Sequence, residues 1–367
     1  WPLSLPDVLF KFEAEYLEYN FLGLGWQFSV PVQYGFSTND YLRLGSFIPT
    51  LRIPRPGGTD LHIELKLLAE LDRVTDQLDR TEFGLYSSLN WPVMKQMSLG
   101  FGLDFGLICF KNPDAREPIC EIAEYSPQFR PSIRWRWDTQ DNPLNPTSGF
   151  TLGAEFKYIF GRSRDELVTL DIGDQLSDTY ANFLKWEVSA EIVVDTRIGP
   201  ILAAFVRYGG SYQLDSDVTS MLPANEVFTL GGSNGMRGFG DHAVGRYDAD
   251  GNLDPLIVDF REDGGGNVVI NGSVELRIPI LKSLGVWGAT FLDAGAIARN
   301  HSEIYSDSFR FSTGIGLRYL IGQQIPVRLD WGIALGNRRC VAWDAVDSDT
   351  CRKEDGHRVH FDLLYPF

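Results

Sequence analysis

The sequence predicts an all-β chain: a transmembrane antiparallel β-barrel, 16 strands in the intact protein and about 15 of them visible in this chain. Three observations carry this reading. Apolar and polar residues alternate with period two over runs of about ten residues, with large aromatics gathered on one face. The connections between runs alternate between short and long. The final run ends on an aromatic residue, Phe367. Alternation by itself also fits a soluble sandwich, whose apolar face packs inward while its polar face meets water, or a two-domain β protein. The membrane reading is favoured because aromatics recur opposite mixed charges and glycine.

Composition excludes the other broad classes. The chain has 367 residues, 44% hydrophobic and 22% charged, yet no apolar run long enough for a membrane helix occurs. A net charge of −16 argues against a nucleic-acid partner, which needs a basic footprint. An aromatic content of 13% is too rich for a disordered chain. The first residue is Trp1 and no signal peptide is visible, so a leader has been removed or the chain is part of something longer.

The elements follow in order. A first strand is expected at about Val8–Tyr19. In the stretch FRPSIRWRWD, Phe129, Ile133, Trp135 and Trp137 oppose Arg130, Arg134, Arg136 and Asp138. From Asn267 to Ile280, Val268, Ile270, Val274, Leu276 and Ile278 oppose Asn267, Asn271, Ser273, Glu275 and Arg277. From Ser308 to Leu320, Phe309, Phe311, Thr313, Ile315, Leu317 and Tyr319 oppose Arg310, Ser312, Gly314, Gly316 and Arg318. The next run sets Val327, Leu329, Trp331, Ile333 and Leu335 against Arg328, Asp330, Gly332 and Ala334. The last strand, Arg358–Phe367, alternates through Val359, Phe361, Leu363, Tyr365 and Phe367.

Short connections fall near Phe21–Gly23, Pro54–Gly58, Pro92–Gln96, Asn142–Gly149, Thr196–Pro200, Lys282–Gly285 and Gly322–Pro326. Long ones include Asn112–Tyr125, Gly161–Thr179, Leu214–Gly266 and Cys340–His357. In outer-membrane barrels the short turns are periplasmic and the long loops lie outside. The equally spaced pairs Cys109/Cys120 and Cys340/Cys351 then sit in or beside outside loops, where disulfides persist. Counting back from a periplasmic Phe367 makes the first visible strand run downward. An even count therefore needs one upward strand before Trp1 that pairs with both Val8–Tyr19 and the C-terminal strand.

Several motifs invite a chemical reading. Gly231-Gly232-Ser233-Asn234-Gly235 matches the G-x-S-x-G nucleophile elbow, but that elbow needs a strand–turn–helix in an α/β sheet, and no such helices are predicted. A hydrolase would require Ser233 with a nearby His, of which His242 is nearest in sequence. Cys340, Cys351, His357 and His360 lack the close cysteine spacing of a zinc site. Asp248-Ala249-Asp250-Gly251 hints at a calcium loop, yet Arg246 stands where the first ligand should be, and the neighbouring acidic residues read as a solvated loop. No cofactor and no metal are expected.

The longest loop carries a more specific signature. Met236-Arg237-Gly238-Phe239, preceded by Leu230-Gly231-Gly232, resembles the R-G-F/Y signature of the BamA/TamA superfamily of outer-membrane assembly barrels. Asp138–Phe150, reading DTQDNPLNPTSGF, is similar to that family's D-x-x-D-N…P-T-x-G turn. Gly272–Leu276 and Phe291–Gly295 resemble the two strands that follow the signature loop. The four motifs occur in the family's order, and the resemblance covers about Asn20–Phe367.

The resemblance implies that the loop of about 214–266 folds into the lumen and that periplasmic POTRA modules, if any, lie upstream. It implies insertion or translocation of client proteins through a weak seam between the first and last strands, with no bond chemistry. The implied partners are the lipid bilayer, unfolded outer-membrane clients and accessory periplasmic or lipoprotein subunits. Pro366 removes a ladder hydrogen bond near the seam's periplasmic end, or is incidental there. Residue parity puts Glu275 and Asp293 on the inward face of adjacent strands, where a guanidinium fork from Arg237 can pair with carboxylates. The alternative is that all three are solvated separately. A two-partner secretion transporter and a passive porin are the competing functions.

Overall fold

A computed structural model of the chain describes residues 9–37, 44–75, 78–111, 120, 125–143, 145–163, 179–214, 225–233, 235–240, 244, 266–298, 300–304, 308–321, 325–335, 340–341, 352–353 and 357–363. Two compact units are present. One takes Trp1–Trp135, Phe156–Leu184 and Leu214–Thr219; the other takes Arg136–Glu155, Lys185–Gln213 and Ser220–Phe367.

The first unit holds β1 (Leu9–Phe21), β2 (Trp26–Ser37), β3 (Leu44–Phe47), β4 (Thr50–Pro54), β5 (His62–Thr75), β6 (Leu78–Met94) and β7 (Met97–Lys111). Three strands divide between the units: β8 (Ser126–Asp138), β9 (Gly149–Ser163) and β10 (Thr179–Asp195). The second unit continues with β11 (Ile201–Gln213), β12 (Val268–Leu281), β13 (Val286–Ala298), β14 (Arg310–Ile321) and β15 (Ile325–Leu335). It ends with the short pair β16 (Cys340–Val341) and β17 (Arg352–Lys353), then β18 (His357–Leu363). Apart from β16 and β17, the strands form one sheet in chain order.

In that sheet β3 and β4 share one position. Val32 stands opposite Phe47 and Ser29 opposite Thr50, so the register is the same on both sides of the break. The break falls at Ile48–Pro49, opposite Pro31. Neither proline has an N–H to donate, so the ladder lapses without a change of register. Counting β3 and β4 as one strand leaves fifteen positions among the described residues, the number expected from the alternation.

Side-chain exposure follows the alternation with its sign reversed relative to a water-soluble protein. In the first unit Phe101, Leu103, Phe105 and Leu107 of β7 are exposed, while Asp104 between them and Glu82 of β6 are buried. In the second unit Val274, Ile278, Phe311, Ile315, Leu329 and Trp331 are exposed, while Glu275, Arg277, Ser312, Arg318, Arg328 and Asp330 are buried. A surface of aliphatic and aromatic side chains beside a buried charged face is stable only against hydrocarbon. No helix among the described residues is long and apolar enough to cross a membrane.

Some boundaries differ from expectation. The turn expected at Pro92–Gln96 is tighter: β6 runs through Met94, Pro92 stands opposite Ser98, and a register shift after Pro92 absorbs the irregularity. The last strand is described over His357–Leu363, so Tyr365, Pro366 and Phe367 lie outside the described residues. Cys109 at the end of β7 forms a disulfide with Cys120. Cys340 lies in β16, and Cys351 lies outside the described residues. The acidic stretch at Asp248–Gly251 and His242 also lie outside them.

The turn before β9 is built by Asp141. Its carboxylate accepts from Thr147 N at 2.9 Å, Thr147 Oγ1 at 2.6 Å and Ser148 N at 3.2 Å. Gly149 closes the turn at φ 118°, where a Cβ would lie 2.6 Å from the Thr139 carbonyl oxygen. Only glycine fits that backbone. Partial burial pushes the Asp141 carboxyl up, but the donors from Thr147 and Ser148 outweigh it and hold the group below the usual carboxylate range.

Candidate functional site

The polar face of β12–β15 sets the site by register. Ser273 stands opposite Asp293, and Asp293 opposite Ser312, so one row across three strands carries a carboxylate flanked by two hydroxyls. Both hydroxyls donate to it, Ser273 Oγ to Oδ1 at 2.7 Å and Ser312 Oγ to Oδ2 at 3.2 Å. Asp293 is 0% exposed. A buried carboxylate so enclosed needs a cation.

Arg237 supplies it. Its Nη2 donates to Asp293 Oδ1 at 2.6 Å and its Nε to Oδ2 at 3.1 Å, a two-pronged pairing, and its backbone N–H reaches Oδ2 at 3.0 Å. Nη1 donates to Glu275 Oε2 at 2.6 Å, and Nη2 to Ser273 Oγ at 2.8 Å. Asp330 Oδ2 lies 3.5 Å from Nη1. Beneath the guanidinium lies the Phe291 ring, with Cζ 3.4 Å from its centroid. That inward aromatic adds a cation–π contact and keeps water from one side of the ion pair.

The cluster extends beyond these residues. Glu275 also accepts from Arg277 Nε at 2.9 Å and Arg318 Nη2 at 2.7 Å. Arg318 Nη1 donates to Asp330 Oδ1 at 2.5 Å, and Arg328 Nη2 donates to Asp362 Oδ2 at 2.8 Å. Arg237, Arg277, Arg318 and Arg328 thus face Glu275, Asp293, Asp330 and Asp362 in one connected set of ion pairs among the described residues. Arg277 also approaches the Pro146 carbonyl oxygen at 3.5 Å, which joins the cluster to the Asp141 turn.

The rest of the motif is seated by shape. Met236 and Phe239 are buried, as is Leu230 before them. A Cβ at Gly295 would meet Leu230 Cδ2 at 2.8 Å and Met236 Sδ at 3.2 Å, so that glycine makes room for both. A Cβ at Gly238 would lie 2.6 Å from Ala334 N and from the Ile333 carbonyl carbon. At Gly332 a Cβ would overlap the Arg237 carbonyl. The Arg237–Gly238 backbone therefore lies directly on β15. Gly232 N donates to Phe239 O at 3.3 Å, which folds the motif back on itself and places Gly231 and Gly232 at its turn.

Further anchors hold the segment leading into the motif. Lys185 of β10 donates to Glu226 O at 2.7 Å and Oε2 at 3.1 Å, with its Nζ 4.6 Å from the Phe228 ring centroid. Arg207 of β11 donates to Thr229 O at 3.2 Å. Ser233, centre of the elbow match, has its Oγ 3.4 Å from Asp362 Oδ1.

The structure brings Arg237, Glu275 and Asp293 together. Asp330, Ser273, Ser312, Phe291 and the three further arginines were not singled out from the sequence. The inward parity of the polar residues is visible in the sequence, but not their convergence. Lys185 and Glu226 gave no signal at all. In the last strand, Val359 and Phe361 are exposed at 66% and 62%, while Arg358, His360 and Asp362 of the other face are half-buried.

Comparisons with known proteins place the fold. The Omp85 superfamily domain profile matches residues 20–342. BamA from Haemophilus ducreyi lacking POTRA domains 1-3 superposes with a TM-score of 0.67 at 17% identity, over 96% of this chain and 67% of that one. CdiB from Escherichia coli gives 0.59 at 18% identity, over 96% and 59%. CdiB from Acinetobacter baumannii gives 0.57 at 13% identity, over 98% and 57%. The chain thus spans between about half and two thirds of the length of these relatives. The match to the family runs through the signature loop and the strands that receive it, and the chain belongs to the Omp85 superfamily of outer-membrane β-barrels, which serve protein insertion and translocation.

Proposed function

We propose that this chain is the membrane-embedded part of an insertion factor, with the loop of about 214–266 folded into the barrel lumen and held there by Arg237. The observation that carries the reading is the enclosure of the Arg237–Asp293 pair, 5% and 0% exposed, between a loop motif and the polar face of β12–β14. A loop seated so firmly occupies the interior that a passive porin would leave open. It also braces the sheet close to its last strand. A client strand would then add at the first and last strands by β-augmentation, using main-chain hydrogen bonds and needing no cofactor. Bilayer, unfolded client proteins and periplasmic or lipoprotein subunits are the partners in this scheme.

Reconstitution tests it. Proteoliposomes holding the full-length protein should accelerate folding of an added outer-membrane client, and planar-bilayer recordings should show only small, fluctuating conductance. A wide, stable pore without client folding would replace the proposal with the porin reading. Translocation of a soluble client into the vesicle lumen without its membrane insertion would replace it with the secretion-transporter reading.

A further inference from the structure

The signature loop touches more than the strands that hold Arg237. His360 of β18 has its Nε2 2.9 Å from the Arg237 carbonyl oxygen. A carbonyl only accepts, so Nε2 carries the proton and His360 is the donor. Two residues along the same face of β18, Asp362 meets Ser233 Oγ at 3.4 Å. The loop thus reaches β18 at two points, by its backbone beside Gly238 and by Ser233. Across β15, His360 stands opposite Asp330, whose carboxylate is already taken up by Arg318 and Arg237. The imidazole therefore turns to the loop.

We propose that His360 is a positioning residue that ties the last strand to the seated loop. Resting on the reading that β18 borders the seam, the tie makes β18 mobile only when the loop lifts. Three geometric facts support it. Gly332 leaves no Cβ between the Arg237 carbonyl and β15, so the carbonyl lies close enough to the sheet for a β18 side chain to reach it. His360 and Asp362 share the face of β18 opposite the exposed Val359 and Phe361, so both project to the side on which the loop lies, and both meet it. The donated bond goes to main chain, so it is insensitive to which side chains the loop carries nearby.

Amide hydrogen exchange on the full chain in lipid nanodiscs, without client, tests this. His360→Ala should speed exchange about fivefold both at 357–363 and, across the contact, at 235–240, as expected for one lost hydrogen bond. His360→Gln retains an N–H donor and should restore most of the protection in both segments. Exchange at 235–240 that stays at the wild-type rate in His360→Ala would overturn the tie. So would His360→Gln exchanging as fast as His360→Ala. Should His360→Ala fail to form a barrel, His360→Gln compared with the shorter His360→Asn makes the same decision, with only the longer amide expected to protect 235–240. No client enters the measurement, so failure of the insertion reading leaves this result standing, and the reverse also holds.

Discussion

Asp293 receives Arg237 with both of its oxygens, Nη2 on Oδ1 at 2.6 Å and Nε on Oδ2 at 3.1 Å, and two serine hydroxyls complete the shell. Every acceptor site of a carboxylate with no exposure is thereby used. Such an arrangement tolerates loss of its cation poorly.

Arg237→Ala should therefore cost about 3–5 kcal/mol of loop seating, since Asp293 and Glu275 keep their desolvation penalty when the partner is gone. The strand ladders do not depend on it, so the variant should still fold as a heat-modifiable barrel while losing assembly activity. Limited proteolysis within 214–266 should become faster. Arg237→Lys should recover only part of the protection, because an ammonium cannot bridge both Asp293 oxygens. Wild-type proteolysis and activity in Arg237→Ala would show that the pairing does not seat the loop.

Gly332→Ala should unseat the same loop without altering any charge. The added methyl overlaps the Arg237 carbonyl and comes within 2.7 Å of Gly238 N, both backbone atoms that cannot swing aside. Overpacking of this kind costs about 1–3 kcal/mol. Proteolysis should rise toward the level of Arg237→Ala. An unchanged digestion pattern would mean that the loop does not rest on β15.

Acidification should loosen the turn before β9. Asp141 is held below the usual carboxylate range by Thr147 and Ser148, so its contribution is complete above the unfolded value of about 4 and is lost as the pH falls through the lower folded one. Amide chemical shifts of Thr147 and Ser148 should titrate with a midpoint below about 4, and Asp141→Asn should abolish the transition. A midpoint at or above that value would contradict the assignment.

Denatured, unreduced protein should show no reactive thiol. The Cys109–Cys120 bond closes a short loop and contributes roughly 2–3 kcal/mol by chain entropy. The same is expected for Cys340 with Cys351. Two or four labelled thiols would contradict this pairing.

How much of this could be read beforehand varies with the physics involved. Strand positions were legible because period two is a local property, as in 308–320, where Phe311, Ile315 and Leu317 emerge exposed and Arg310, Ser312 and Arg318 buried. The ladder break at Pro49 leaves no mark on the alternation, because the register is unchanged across it. Around Arg237, parity alone could put Glu275 and Asp293 on the facing side. Which other residues meet there depends on register across four strands, and register is a non-local quantity. Asp330 is brought in by its position opposite Gly316, and Arg328 by its position opposite Asp362. Phe291 is an aromatic on the polar face, so the alternation alone gives it no place in the site. On β18 the alternation marks the outer residues, while the inner contacts of His360 and Asp362 depend on the loop that meets them.

The pairing of Arg237 with Asp293 and Glu275 has an electrostatic consequence for a loop that moves. Lifting Arg237 away carries one positive charge with it and leaves the buried Asp293 without the guanidinium that bridges it. The vacated pocket becomes a local well of negative potential, worth roughly 4 kcal/mol to a unit charge at 4 Å with an effective dielectric near 20. That field acts over distance, before any hydrogen bond can form, and points the departing side chain back along its own path. The empty pocket therefore favours the return of a cation to it, and the seated position of Arg237 is the one its surroundings select.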